Sequence, residues 1–495
     1  MKSKMLRQLV LACILLGATF FVSSVKTTET NASTAQFTED IPIGFIVPIT
    51  GPLGAYGPEM IRGGELAEWV VNTKWTEQQR IDRLDNQTID IIVEDTETNP
   101  DKVPAIVTDL ITNEGCEVIV GAAASSCTLA ADGVTDQNEV ILISYASTSP
   151  AISTEAGDYT YRVVPMDKLQ GDALAALAYD MGYRHAAMIY LDNSYGLGFA
   201  TVFNETFIAL GGTVEEDIPY IETATSFDTE LATIKAAEDA GDIDVVMDVS
   251  YADDGAVIFT QAALAGITTP WVCAEGIADA AIFDVAAGVG AAMTGMIGTR
   301  PFSNTTTGEY QTFIDYYHER FGATETPGIY CDYAYDAVML AVDAIVEAGV
   351  YNGPDIKTAL DTVNVGWMGA TGDKTFDQYG DVGGSYILWE VTEDPTGTCW
   401  EFTQMGMWTS AGGVDITVAD PVFTGECMSE TETTDTGVTE TITQTETGTE
   451  TVTQTGTQTI VTVSTKEVGA PGFELYILLI SFGVLVIPVI WRKRR

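Results

Sequence analysis

From Ile41 onward the chain alternates short apolar runs with segments of helical period, and that alternation leaves few folds open. "IPIGFIVPI" reads as a buried strand, "PEMIRGGELAEWVVN" as a helix and "TIDIIVED" as a second strand. "PDKVPAIVTDLITNEG" is a helix ending on Gly115, "EVIVG" a strand, "SCTLAADGVTDQN" a helix and "VILIS" a strand. Strands of this kind separated by amphipathic helices imply a parallel sheet covered on both faces. The alternation continues through "AAMIYL", "TVEEDIPY", "DVVMDVS", "PWVCA" and "AMTGMIG", too many strands for one compact sheet. The reading is therefore α/β, with two βα domains of similar size. Later helices fall at "YQTFIDYYHERFG" and "CDYAYDAVMLAVDAIVEAG", and "SYILWEV" with "CWEFTQMGMW" reads as a β-hairpin.

The flanks have another character. Residues 1–24, "MKSKMLRQLVLACILLGATFFVSS", join a basic start to an apolar run too short for a comfortable membrane span. They predict a secretory signal, with residues 25–40 as a linker. Residues 428–470 are dominated by Thr, with Glu and Gln, and cannot bury a core, so they read as an extended stalk open to O-glycosylation. Residues 471–495 place an apolar run before the basic tail "RKRR", which predicts a membrane anchor with its C-terminus inside. Pro471-Gly472-Phe473 ahead of that run also resembles an archaeosortase-type sorting signal. On either reading the folded part is displayed outside the cell.

Six cysteines remain beyond the signal, an even number that suggests disulfides in an exported protein. Cys116–Cys127 and Cys399–Cys427 are the expected pairs, with buried free thiols as the alternative. Sequons at Asn31, Asn86, Asn204 and Asn304 fit export. The net charge of −49 argues against a nucleic-acid partner, and a hydrophobic content of 46% is ample for a core.

Catalytic signatures are missing. His185 and His318 are the only histidines, and the chain has no GxSxG, HExxH or phosphate-binding GxxxxGK motif. Asp253-Asp254 and "EDTETNPD" are acid-rich but lack calcium-loop spacing, and no cofactor is implied. The stretch "GAAASSCTLAADG" (121–133) runs instead from a strand end into a helix. Ser125 and Ser126 fall in the first turn, where unpaired N–H groups, the helix dipole and a hydroxyl suit a carboxylate. Ordinary N-capping by serine is the competing reading. "VILISYASTSPAIS" repeats the arrangement with Ser147, Thr148 and Ser149, at the edge where open parallel sheets bind ligands. Tyr251 and Glu275 also follow apolar strands, and Tyr195 precedes "GLG".

Six segments in register carry a family resemblance. "ITGPLGAYG" (49–57), "VGAAASSCT" (120–128), "ISYASTSP" (143–150), "DNSYGLG" (192–198), "DVSYADD" (248–254) and "CAEGIAD" (273–279) resemble leucine/isoleucine/valine-binding proteins in order and spacing. These are the solute receptors of ABC importers, with the type I periplasmic-binding fold. The resemblance runs from about residue 41 to 410 and implies a discontinuous architecture. Residues 41–163 and 301–369 form the first lobe, and residues 164–300 and 370–427 the second. They are joined by three crossovers near residues 164, 300 and 370 and close around the ligand by hinge motion.

The resemblance also implies roles. Ser125 takes the ligand's α-carboxylate, helped by the Thr148 N–H. The Ala146 carbonyl, the Thr148 hydroxyl and Glu275 take its α-ammonium. Tyr195 and Tyr251 close over it with Glu275 from the second lobe. Tyr56, Ala123, Ala124, Tyr251 and Tyr330 line the side-chain pocket, which carries no charge and suits an apolar or weakly polar side chain. Tyr145 stands where the family has proline, and residues 73–87 are longer than the usual connection. The implied protein is a non-enzymatic receptor that delivers a neutral amino acid of branched-chain type to a permease and its ATPase. The alternatives are a ligand-sensing ectodomain with a separate transducer, or a structural or adhesive surface protein.

Overall fold

A computed structural model describes residues 37, 39–394 and 399–416. The expected signal, stalk and anchor lie outside these residues, and among the described residues no helix is long and apolar enough to cross a membrane. The first sheet contains β1 (Ile41–Val47), β2 (Ile89–Asp95), β3 (Val118–Val120), β4 (Ile141–Ser144) and β5 (Thr160–Arg162). Their order is β2-β1-β3-β4-β5, and every pairing is parallel. The long helix Cys331–Ala348 packs on helices Gly57–Trp69 and Gly353–Val363, while Val103–Thr112 packs on Ser125–Thr135. Wrapped in this way, β3 and β4 are buried along their whole length, which is why they carry no polar alternation.

The second sheet begins with β6 (His185–Leu191), β7 (Thr213–Tyr220), β8 (Val245–Val249), β9 (Trp271–Cys273) and β10 (Ile297–Pro301). Two short strands, β11 (Met368–Gly369) and β12 (Gly372–Asp373), pair only with each other. The chain then adds β13 (Tyr386–Glu393), β14 (Trp400–Thr409) and β15 (Gly413–Asp415), giving the order β15-β14-β13-β10-β9-β8-β6-β7. The strands from β7 to β10 are parallel, whereas β13, β14 and β15 extend the edge antiparallel. The second lobe is thus mixed rather than wholly parallel. β14 alternates buried and half-buried residues, as an antiparallel strand with one face on the core should.

Three further sequence expectations are corrected, and one gains detail. "AMTGMIG" is not one strand: Val289–Met293 is helical, Gly295 turns the chain with φ +83°, and β10 starts only at Ile297. The long connection at 73–87 holds a helix of its own, Glu77–Leu84, opened by a reciprocal Thr76–Gln79 capping box. The Cys116–Cys127 bridge does not form, and both thiols are buried and free. They sit at opposite ends of β3, whose three residues alone span about 10 Å, beyond disulfide reach. Cys399 is disulfide-bonded, and its expected partner, Cys427, lies outside the described residues.

The last correction concerns the hinge. The third passage between lobes falls at 382–385, beyond the expected 370. Asp336 holds the intervening chain on the first lobe, its carboxylate accepting from the Ala370 N–H (2.7 Å) and the Thr371 N–H (2.8 Å). The Gly380 carbonyl accepts from the Arg162 N–H on β5 at 3.0 Å, and Asp381 pairs with the Arg162 side chain.

Candidate ligand site between the two sheets

In a sheet ordered 2-1-3-4-5, the loops leaving the two strands on either side of the order reversal diverge and open a crevice. In the first sheet those strands are β1 and β3, followed by Tyr56 and by Ala123 and Ser125. In the second sheet they are β6 and β8, followed by Tyr195 and Tyr251. The two crevices face each other across one cavity, lined by Leu53, Tyr56, Met60, Ala123, Ser125, Ala146, Thr148, Tyr195, Tyr251, Glu275, Gly276 and Tyr330. Nine of the ten sequence-derived site residues are in that set. Ala124 is not: it is the N-cap of helix Ser125–Thr135, and its carbonyl accepts the Thr128 N–H inside the turn.

Two hydroxyl-rich loops form the first-lobe wall, and most of their hydroxyls stitch them together. Ser144 and Ser147 Oγ donate to the Ala122 carbonyl at 2.8 and 3.0 Å, and Ser147 Oγ also meets Thr128 Oγ1 at 2.7 Å. Ser149 Oγ accepts from the Ala151 N–H and so caps helix Pro150–Glu155. Tyr145, the proline replacement, stacks on Phe45 with ring centroids 5.4 Å apart and donates to the Ile46 carbonyl at 3.2 Å. The approach of β3 to β1 requires glycine at 121, where φ is +133° and a Cβ would lie 2.4 Å from the Ile46 side chain.

The capping reading holds for Ser149 but fails for Ser125 and Ser126. Ser125 is the first helical residue, and no side chain caps the helix. Its buried hydroxyl accepts from the Ser149 N–H at 3.2 Å. The N-terminal turn of this helix, with its positive dipole end, therefore faces the cavity beside a serine hydroxyl.

The wall contributed by the second lobe is acidic. Glu275 is buried at the end of β9 and makes no ion pair among the described residues. Gln170 Nε2 donates to its Oε2 at 2.7 Å, and Thr148 Oγ1 reaches its Oε1 across the lobes at 3.4 Å. Burial pushes its carboxyl up to about 7, against the pull of hydrogen bonds from Tyr195, Gln170 and Thr148. Asp167 is fully buried nearby. Burial first, and then the charge of Glu275, raise it well above the ordinary carboxylate range. Tyr195 and Tyr251 stack with centroids 5.5 Å apart, and Tyr195 OH accepts from the Gly276 N–H at 3.3 Å.

Sequence reasoning missed Leu53, Met60, Asp167, Gln170 and Arg162. The last had a signal, a lone arginine in the apolar run "YTYRVVP". The acid-rich motifs turn out to brace loops: Asp95 accepts from the Ile49, Thr50 and Glu97 N–H groups, and Asp254 from the Tyr251 N–H. His185 is exposed and bonds Thr213, away from the cavity.

Two sheet-centred lobes joined by three strands of chain, with a buried cleft between them, define the class of two-lobed solute receptors. The chain belongs to the periplasmic binding protein family, whose profile matches residues 40–396. It is 24% identical over 370 residues to the leucine-, isoleucine-, valine-, threonine- and alanine-binding protein of Pseudomonas aeruginosa, covering 74% of this chain and 94% of that one. Among solved structures it resembles a leucine-binding protein from Thermotoga maritima (TM-score 0.64, 23% identity, 73% of this chain and 97% of that one). It also resembles a branched-chain amino acid transporter substrate-binding protein from Streptococcus pneumoniae in complex with isoleucine (TM-score 0.63, 23% identity, 74% and 100%). A third likeness is a Rhodopseudomonas palustris ABC transporter solute-binding protein in complex with 3,4-dihydroxybenzoic acid (TM-score 0.62, 21% identity, 76% and 98%).

Proposed function

We propose that the protein captures a neutral α-amino acid, of branched-chain size, between its lobes and delivers it to the permease and ATPase subunits of an ABC importer. The observation that carries this reading is the polarity of the cleft, whose wall holds both a buried carboxyl with no ion pair among the described residues and an uncapped helix N-terminus with Ser125. A zwitterion satisfies both at once. The Ser125 hydroxyl and the first-turn N–H groups hold the carboxylate, while Glu275, Thr148 Oγ1 and the Ala146 carbonyl hold the ammonium. Charge-assisted hydrogen bonds of this kind contribute about 1.5–3 kcal/mol each. An aromatic acid such as the one bound by the Rhodopseudomonas protein offers no cation, so it leaves Glu275 unpaired. The folded part works outside the cell, tethered through residues 471–495 and spaced from the membrane by residues 428–470; the composition of those segments supports this placement.

Thermal denaturation of the protein against all amino acids, simple amides and short organic acids tests the reading. A ligand at 100 times its Kd is expected to stabilise by about 2.7 kcal/mol. A flat response to every amino acid, from protein freed of carried-over ligand, overturns it.

Affinity also carries a pH signature. Ammonium binding needs ionised Glu275, and burial raises that group to about 7 in the empty cleft. Affinity is therefore expected to be constant well above that pH and to weaken toward about tenfold per unit below it. Titration calorimetry across this range checks the profile, and constant affinity down to about pH 5 removes Glu275 as the ammonium partner.

A further inference from the structure

We propose that the side-chain end of the cavity is built to hydrogen-bond its ligand, so that among amino acids of branched-chain size it selects one bearing a hydroxyl or amide over its apolar isostere. The inference rests on the amino-acid reading above and specifies the side chain.

Two residues carry it. Tyr56 and Tyr251 line the cavity from opposite lobes and are only 2% and 3% exposed. Both phenol oxygens are buried, and neither makes a hydrogen bond among the described residues. Tyr195 provides the contrast, since its hydroxyl is already engaged by the Gly276 N–H. The Tyr251 hydroxyl lies beside the Asn193 side chain without reaching hydrogen-bond geometry. Its ring is fixed by stacking on Tyr195, and its backbone N–H donates to Asp254 Oδ1 at 2.9 Å. Tyr56 is held as a neutral phenol by burial and by the nearby charges of Asp279, Asp254 and Asp253, so it keeps the proton it has to donate.

Leu53, Met60 and Ala123 on the first lobe are apolar and supply shape rather than direction, and Tyr330 adds a third aromatic ring to the lining. A leucine side chain would fill this space and leave two buried hydroxyls unpaired. A hydroxyl or amide would pair at least one, since a phenol both donates and accepts. Sites that hydrogen-bond a ligand group discriminate strongly against the analogue lacking it, because their own buried polar atoms are then left unsatisfied.

Isosteric ligand pairs test this on the full chain by titration calorimetry: threonine against valine, and asparagine against leucine. The polar member is expected to bind at least about tenfold more tightly in one or both pairs. That preference should collapse to about twofold or less in Tyr56→Phe or Tyr251→Phe, which delete only an oxygen. Tighter binding of valine and leucine than of their polar partners overturns the proposal while leaving the amino-acid receptor standing. So does a polar preference that survives in both phenylalanine variants. No binding of any of the four, by protein that still melts cooperatively, removes the amino-acid reading itself and the side-chain proposal with it.

Discussion

Glu275→Ala is expected to weaken amino-acid binding by about 2–5 kcal/mol, a loss of roughly 30-fold to several thousand-fold. The size follows from burial. In the complex the ligand's ammonium is shut away from water, and without Glu275 its remaining partners are the uncharged Thr148 hydroxyl and Ala146 carbonyl. Removing one member of a desolvated charge pair strands the other. Glu275→Gln should lose nearly as much, because the amide keeps the shape and the contact with Gln170 but not the charge.

The empty protein should respond in the opposite direction. Burial raises the Glu275 carboxyl from 4.5 to about 7, so its contribution to folding is fully present below the unfolded value and is lost as pH rises through the folded one. At pH values above that window the empty cleft therefore holds an ionised acid at a cost in stability, and Glu275→Gln should melt higher than the parent without ligand. Calorimetric titration and thermal melts of the same variants check both halves. Unchanged affinity in a folded Glu275 variant removes this residue from the site. A fall in the variant's melting temperature without ligand shows that the carboxylate braces the fold rather than waiting for a cation.

Much of this arrangement is legible in the chain because the relevant signals are local. Strands buried on both faces write themselves as apolar runs, and loops leaving the strand ends at an order reversal converge on a crevice. Ser125, Thr148, Tyr195, Tyr251 and Glu275 could each be placed at such an end by reading forward from "EVIV", "VILIS", "AAMIYL", "DVVMDVS" and "PWVCA". What stayed hidden depends on distance along the chain. Gln170 reaches Glu275 across 105 residues, and its position in a helix gives no hint of that contact. Cys116 and Cys127 are close in sequence but separated by an extended strand. The third hinge passage was misplaced because pairing between Arg162 and Asp381, 219 residues apart, keeps the chain on the first lobe longer than its own composition suggests.

That same pair yields the largest expected effect on stability. Arg162→Met should destabilise the protein by about 3–5 kcal/mol. The guanidinium is 1% exposed and the Asp381 carboxylate 3%. Arg162 Nη1 also donates to the Ser147 carbonyl at 3.2 Å and the Ser149 carbonyl at 2.8 Å, and Nη2 donates to Ser153 Oγ at 2.7 Å. Ser153 Oγ in turn donates to Asp381 Oδ2 at 2.6 Å. Methionine fills much of the volume but leaves a buried carboxylate and two carbonyls without their cation. Those carbonyls flank Thr148, so the arginine clamps the loop that carries Thr148 to the chain just ahead of the third passage of the hinge.

The double variant Arg162→Met/Asp381→Leu separates the two roles. Removing both charges should recover most of the stability, because no stranded ion remains. It should not restore affinity, because the Ser147 and Ser149 carbonyls stay unclamped and the loop that presents Thr148 and the Ala146 carbonyl loses its fixed position. Melting curves and titrations of parent, both single variants and the double variant form a complete cycle. A single Arg162 variant as stable as the parent, or a double variant that binds as tightly as the parent, shows that the buried pair neither supports the lobe nor positions the loop.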